Sequence, residues 1–214
     1  SKVFFDELNI PLPDYYLNVG SGSHARQTAK MMIGLEDLYR QNNFAAIIVI
    51  GDVNSTLAGA LVASKMNIPT VHVEAGLRSF NRGMPEEVNR ILTDHMADLL
   101  FAPTTSAMAN LKKEGLEDRS WFSGDVMYDM ILKGLKLAGS KENVLHDLGV
   151  EPGQFYLSTL HRPYNVDNPE QLGEIIKALS GLDKKVILTA HPRLRKNLSR
   201  FRINPGNNIK MTQP

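Results

Sequence analysis

Apolar and polar positions in this chain alternate in blocks, and the blocks predict its elements. Ala25, Ala29, Met32, Ile33 and Leu35 recur at helical spacing toward Leu38, with Ser23 placed to cap the helix and Asn42-Asn43 to end it. Residues 45–50 are continuously apolar, which predicts a strand buried on both faces. Residues 56–66, rich in Ala and other small side chains, predict a helix capped by Asn54 or Ser55 that lies close on a sheet and ends at Asn67 and Pro69. A second strand, Thr70–Val73, delivers Glu74, and Ala75-Gly76 permits a tight exit. The pattern continues as a helix over 85–96, a strand over 99–102, a helix over 104–113, a strand-to-turn passage over 121–125 and a helix over 126–137. After a more polar stretch, 139–153, come a strand over 155–160, a helix capped by Asp167 or Asn168, a strand over 185–190 and a strand-like 208–211.

Strands alternating with helices at this interval predict an α/β fold with parallel sheets. The polar stretch is the best boundary between lobes and divides the chain into 1–145 and 146–214. In such sheets ligands belong at the carboxyl ends of strands, where Asp52, Glu74, His161 and His191 all fall. Asp52 and Glu74 lie 22 residues apart, room for one crossover helix, so a parallel pair would set both acids at one sheet edge. No internal repeat, low-complexity tract or Gly-rich phosphate loop is present.

Composition narrows the picture. With 214 residues, 43% of them hydrophobic and 22% charged, the chain has the profile of a globular protein. A formal net charge of +1, with Lys and Arg scattered, offers no electrostatic case for nucleic acid or an anionic membrane. The absence of cysteine removes disulfides, thiolate metal sites and cysteine nucleophiles, and fits a reducing compartment, so the cytoplasm is the expected location. The longest clean apolar run, 44–50, is far short of the roughly 20 residues that span a bilayer. The chain starts without Met and stops just after a strand-like segment, so both ends are expected to be cut from something longer.

Each candidate has a plainer reading. Asp52 could be a turn or cap aspartate, although Asn54 and Ser55 offer better caps. Glu74, directly after a buried strand, costs several kcal/mol to desolvate unless paired, and Arg78 could be its partner. Glu86 and Glu87 suit the first turn of a helix, where the dipole favours acids. His72 and Glu74 at i, i+2 share one strand face and could form half of a metal site, but no third ligand follows at a recognisable spacing, so no metal is expected. His161-Arg162 is either a surface pair or a phosphate-recognising couple. His24, His95 and His146 read as solvated or capping residues, and Met31, Met32, Met96, Met127 and Met130 as core fill.

Taken together, Gly51-Asp52-Val53-Asn54-Ser55-Thr56, His72-Val73-Glu74-Ala75-Gly76-Leu77-Arg78-Ser79, Met84-Pro85-Glu86-Glu87-Val88-Asn89-Arg90 and Leu92-Thr93-Asp94-His95 closely resemble the non-hydrolysing UDP-N-acetylglucosamine 2-epimerases. The resemblance continues through Phe101-Ala102-Pro103-Thr104, Gly124-Asp125-Val126-Met127, Thr159-Leu160-His161-Arg162 and Ala190-His191-Pro192-Arg193. It implies two Rossmann-like lobes of the glycosyltransferase-B kind around a nucleotide-sugar cleft, and interconversion of UDP-GlcNAc and UDP-ManNAc in cell-surface polysaccharide biosynthesis. By the same resemblance Asp52, Glu74, Glu86 and His161 match catalytic or substrate-contacting positions, with Arg78 and Arg162 binding substrate. His191 matches a position near a second nucleotide-sugar pocket. A homodimer and a reaction without cofactor are also implied.

The implied chemistry is elimination of UDP, with a carboxylate removing the C2 proton, then re-addition with a proton delivered to the opposite face. Crowded carboxylates raise at least one pKa, so an acid and a base coexist near neutrality. Three features depart from the family pattern. Tyr164 stands where an acidic residue is common, and Ile33 where a regulatory-site arginine is. The opening strand with its Gly-Thr-Arg-Pro-Glu loop and the Asp-Ser-Gly-Gly segment that holds UDP are both absent, so these 214 residues alone are expected to bind UDP weakly and turn over poorly. The alternatives are a hydrolysing relative that releases ManNAc, an epimerase of a decorated UDP-diacetamido sugar, and a nucleotide-sugar binding module without turnover.

Overall fold

The computed structural model describes residue 5 and residues 10–138 and 144–213. Residues 139–143, the first part of the polar stretch expected to separate two lobes, lie outside that set. The chain divides into two compact units, Ser1–Leu132 and Lys133–Pro214.

In the first unit, helices α1 (His24–Gln41), α2 (Asn54–Lys65), α3 (Pro85–Met96) and α4 (Thr105–Lys113) alternate with strands β1 (Ile47–Ile50), β2 (Thr70–Val73), β3 (Leu99–Ala102) and β4 (Ser120–Phe122). The strands form one sheet in the order β1-β2-β3-β4, every pairing parallel. Helix α5 (Val126–Ala138) follows. The Ala-rich character of α2 lets it settle directly on the sheet. Ala58, Ala60 and Ala63 are fully buried, and a Cβ at Gly59 would stand 3.1 Å from the Val49 side chain. Ala75, Ala97, Leu100, Ala102, Ala107, Leu111 and Leu116 form the core nearest β3.

Four local expectations change here. The β1 strand is not buried on both faces: Val49 is buried, but Ile48 and Ile50 are 66% and 58% exposed. Among the described residues it is the edge of the sheet, and its open apolar side, with Leu17, Met31, Leu35 and Tyr39, lines a hollow of about 530 Å³. Neither Asn54 nor Ser55 caps α2. The cap position is Val53, which has no side-chain cap bond, while Asn54 is drawn into a side-chain network with Gln27 and Asn89. Ser23 holds the cap position of α1 but makes no cap bond with its side chain. Of the methionines expected in the core, Met127 and Met130 are exposed on α5.

The second unit contains α6 (Val144–Leu148), β5 (Phe155–Thr159), α7 (Pro163–Val166), α8 (Pro169–Ser180), β6 (Lys185–Thr189), α9 (Pro192–Phe201) and β7 (Ile209–Thr212). Its sheet has the order β5-β6-β7 and is also parallel throughout. Val186, Ile187 and Leu188 on the central strand are buried consecutively, as a strand covered on both faces requires. Of the two residues predicted to cap α8, Asn168 does so, accepting from the N–H groups of Glu170 and Gln171; Asp167 pairs with Arg193. Among the described residues no helix is long and apolar enough to cross a membrane.

Gly76 shows how tightly the β2 exit is built. Its φ is +81°, and a Cβ there would lie 2.6 Å from the Ala107 carbonyl oxygen and 2.8 Å from the Leu111 side chain. Gly76→Ala combines left-handed strain with overpacking, so it should cost about 2–4 kcal/mol, read as a lower urea midpoint at unchanged slope.

Candidate functional site

The parallel pairing of β1 with β2 sets Ile50 opposite Val73, so Asp52 and Glu74 leave the sheet at the same edge. The Gly51 N–H donates to the Val73 carbonyl at 3.0 Å, which ties the two turns at their root. Gly51 has a φ of +70°, and a Cβ on it would stand 3.3 Å from Glu74 Oε2, so glycine is what allows the acid to sit against the neighbouring turn. Glu74 itself is left-handed, with a φ of +71°. Such a conformation costs on the order of 1 kcal/mol in a residue with a side chain and clusters at functional sites.

Because β2 ends at Val73, the strand alternation that would align His72 with Glu74 stops before Glu74. The suggested metal pair is not formed. His72 is fully buried, with Nε2 2.8 Å from the Gly51 carbonyl oxygen and Nδ1 2.7 Å from Asp94 Oδ1, so neither nitrogen is open to a ligand. Among the described residues no group of three or more side chains could hold a metal ion.

Two neighbouring acids meet different electrostatics. Burial, followed by the negative charges of Asp125 and Asp52, pushes the Glu74 carboxyl above its ordinary range, with His72 partly opposing. Asp52 is ion-paired with Arg90, and its backbone carbonyl accepts from Asn89 Nδ2 at 2.9 Å. Glu86, in the first turn of α3, borders a hollow of about 170 Å³ that His24, Asn54 and Asn89 also line.

Glu87 is the residue whose role spacing did not reveal. It is 1% exposed and accepts from the Ser79 N–H at 2.8 Å, the Ser79 hydroxyl at 2.9 Å and the Phe80 N–H at 2.8 Å. Burial alone would raise its carboxyl, but these bonds and the Arg90 charge hold it below the ordinary range. It pins the polar loop after β2 and, through Arg90 at 3.2 Å, braces the partner of Asp52. The i, i+3 spacing from Glu87 to Arg90 was the available signal.

Arg78 does not pair with Glu74. Its Nη1 lies 2.7 Å from Asp94, and Nε and Nη2 each lie 2.7 Å from one oxygen of Glu114; the side chain is 1% exposed. The turn at Gly76 carries the guanidinium away from Glu74 and under the sheet edge, where it neutralises two acids and has no face free for a ligand.

In the second unit the register pairs Thr159 with Thr189, so His161 and His191 follow adjacent strands at matching distances. His161 is exposed, with Nδ1 3.3 Å from the Thr159 hydroxyl. Arg162 is exposed at the cap position of α7 and forms no ion pair among the described residues, which removes the surface-pair reading of His161-Arg162. His191 caps α9, accepting from the Arg193 N–H at 3.4 Å, and the expected acidic position holds the exposed Tyr164.

Glu74 and Glu87 predict opposite pH signatures. The raised Glu74 contributes stability that is fully present below its unfolded pKa and lost as pH rises through the folded value, so Glu74→Gln should raise the urea midpoint at neutral pH. The depressed Glu87 contributes stability above its unfolded pKa that is lost as pH falls through the folded value. Glu87→Gln should cost about 2–4 kcal/mol at neutral pH and flatten the acid limb of the urea midpoint against pH.

The whole chain, residues 1–214, matches the family model described as UDP-N-acetylglucosamine 2-epimerase. A UDP-N-acetylglucosamine 2-epimerase homolog of Methanococcus maripaludis is 47% identical over 218 residues, covering 100% of this chain and 61% of the relative. The UDP-2,3-diacetamido-2,3-dideoxy-D-glucuronate 2-epimerase of Pseudomonas aeruginosa is 44% identical over 94% of this chain and 57% of its own length. Among solved structures, the Methanocaldococcus jannaschii UDP-GlcNAc 2-epimerase in complex with UDP-GlcNAc and UDP superposes with a TM-score of 0.87 at 45% identity, over 100% of this chain and 62% of that one. The chain thus spans about 61% of the length of the M. maripaludis relative. With the family's motif acids at adjacent strand ends and the match running from the first residue to the last, this chain belongs to the UDP-N-acetylglucosamine 2-epimerase family.

Proposed function

We propose that the full-length protein epimerises C2 of a UDP-N-acetylhexosamine, interconverting UDP-GlcNAc and UDP-ManNAc. The observation that carries this reading is the pair of acids on neighbouring turns: Asp52 is ion-paired with Arg90, whereas Glu74 forms no ion pair among the described residues and has a raised carboxyl. One acid paired with a cation beside one whose carboxyl is raised is what a two-face proton transfer needs.

In this mechanism the C1–O bond to UDP breaks as a carboxylate takes the C2 proton, leaving UDP and a 1,2-unsaturated sugar. Re-addition forms the C1–O bond again while a second acid delivers a proton to the other face of C2, so atoms and charge balance over the cycle. Asp52, Glu74 and Glu86 form the acid–base pool. His161 and Arg162, which forms no ion pair among the described residues, stabilise the charge that grows on the departing diphosphate. His191 serves a second nucleotide-sugar pocket. Arg78, spent on Asp94 and Glu114, supports the site instead of gripping the substrate.

We further assign residues 1–145 to an N-terminal lobe and 146–214 to a C-terminal lobe, and place the protein in the cytoplasm as a homodimer, with no cofactor. A decorated substrate is the second reading, because a relative named for a diacetamido-glucuronate sugar matches at 44% identity.

The reaction is tested with full-length protein in heavy water, following C2 by NMR. Deuterium entering C2 of both epimers with UDP still attached is the expected result. Release of free ManNAc supports hydrolysis instead, and UDP-GlcNAc binding by calorimetry without exchange supports a binding module. Asp52→Asn and Glu74→Gln should each lower the exchange rate by about 10²–10⁴-fold.

A further inference from the structure

We propose that His72 is a positioning residue that registers the two acid-bearing turns against each other by donating from both ring nitrogens at once. The role deepens the epimerase reading and rests on it, since its effect on rate presupposes chemistry at Asp52 and Glu74.

The ring sits between two acceptors. The Gly51 carbonyl, directly before Asp52, is 2.8 Å from Nε2, and Asp94 Oδ1 is 2.7 Å from Nδ1. Asp94 Oδ2 accepts from the Gly76 N–H at 3.0 Å, two residues beyond Glu74, and from Arg78 at 2.7 Å. A carbonyl cannot donate, and the Asp94 carboxylate, which already accepts from an amide and a guanidinium, stands as an acceptor to the ring as well. A neutral imidazole carries one N–H and could satisfy one of these acceptors only, so the network requires a proton on each nitrogen.

The charges close around the ring. Asp94 faces His72 and Arg78, Arg78 faces Glu114, and His95 reaches Glu114 from α3 at 3.2 Å. On the site side, Glu74 feels the His72 charge beside those of Asp52 and Asp125, and Arg90 balances Asp52. One buried ring therefore connects the carbonyl that precedes Asp52 to the carboxylate that holds the turn after Glu74. Without it, backbone bonds such as Gly51 N–H to Val73 and Ala75 N–H to Phe101, each 3.0 Å, would hold the turns while two buried acceptors lost their donor.

Two measurements test this. In full-length protein with ¹⁵N-labelled histidine, both His72 ring nitrogens should appear protonated and hydrogen-bonded at neutral pH; a single protonated nitrogen overturns the proposal. In His72→Gln the C2 exchange rate should fall about 10–100-fold while calorimetric affinity for UDP changes less than about twofold. An unchanged exchange rate, or a loss of UDP affinity as large as the loss of rate, overturns it. The NMR measurement uses the unsubstituted protein and decides the matter if the variant does not fold. Absence of C2 exchange in the unsubstituted protein refutes the epimerase reading, and with it the rate role proposed for His72, whereas the two ring protons are scored separately.

Discussion

The buried carboxylate of Asp94 is the contact on which the acid-bearing edge of the first unit depends. It lies on α3, with no exposed surface, and faces His72, the Gly76 amide and Arg78 together. Each of those partners belongs to β2 or the turn that follows it, so one side chain ties helix to strand to turn. Buried charges are costly unless paired and hydrogen-bonded, and here every charge has its opposite within a few ångströms. Removing the carboxylate would leave a guanidinium and an imidazole without their shared partner, a larger loss than a surface ion pair represents.

From that anchor the chemistry of the edge follows. Glycine at 51 and at 76 lets backbone and side chains approach to distances at which a Cβ would collide, and Glu74 accepts a left-handed backbone between them. The two acids are thereby close enough for the Asp52 charge to act on Glu74, yet of the two only Asp52 is ion-paired with a cation among the described residues. Glu87 steadies that cation and the loop beyond β2 at once. The asymmetry of the site is thus made by α3, which carries Glu86, Glu87, Arg90 and Asp94 along a single helix.

Much of this was legible before any coordinates. The strand at 70–73 and the helix at 85–96 match to the residue, because apolar runs and proline punctuation are local signals. The same locality placed Asp52 and Glu74 at one edge: a crossover of that length between parallel strands leaves little freedom. What was not legible is partner choice. Arg78 stands four residues after Glu74 yet reaches Asp94 and Glu114, and Asn54 caps nothing because Gln27 and Asn89 compete for its amide. The burial of β1 was misjudged for a related reason. A continuous apolar run reports that a strand wants cover, not what covers each face.

The sequence by itself determined the α/β alternation, the strand ends at which the acids and histidines stand, and the motifs of the epimerase family, since each is written in nearest-neighbour pattern and spacing. Only the tertiary structure decided which acid is ion-paired, which is left with a raised carboxyl, and which arginine is withdrawn beneath the sheet. Those outcomes depend on groups tens of residues apart meeting at a few ångströms in a place with little water, where pairing and desolvation override any local preference.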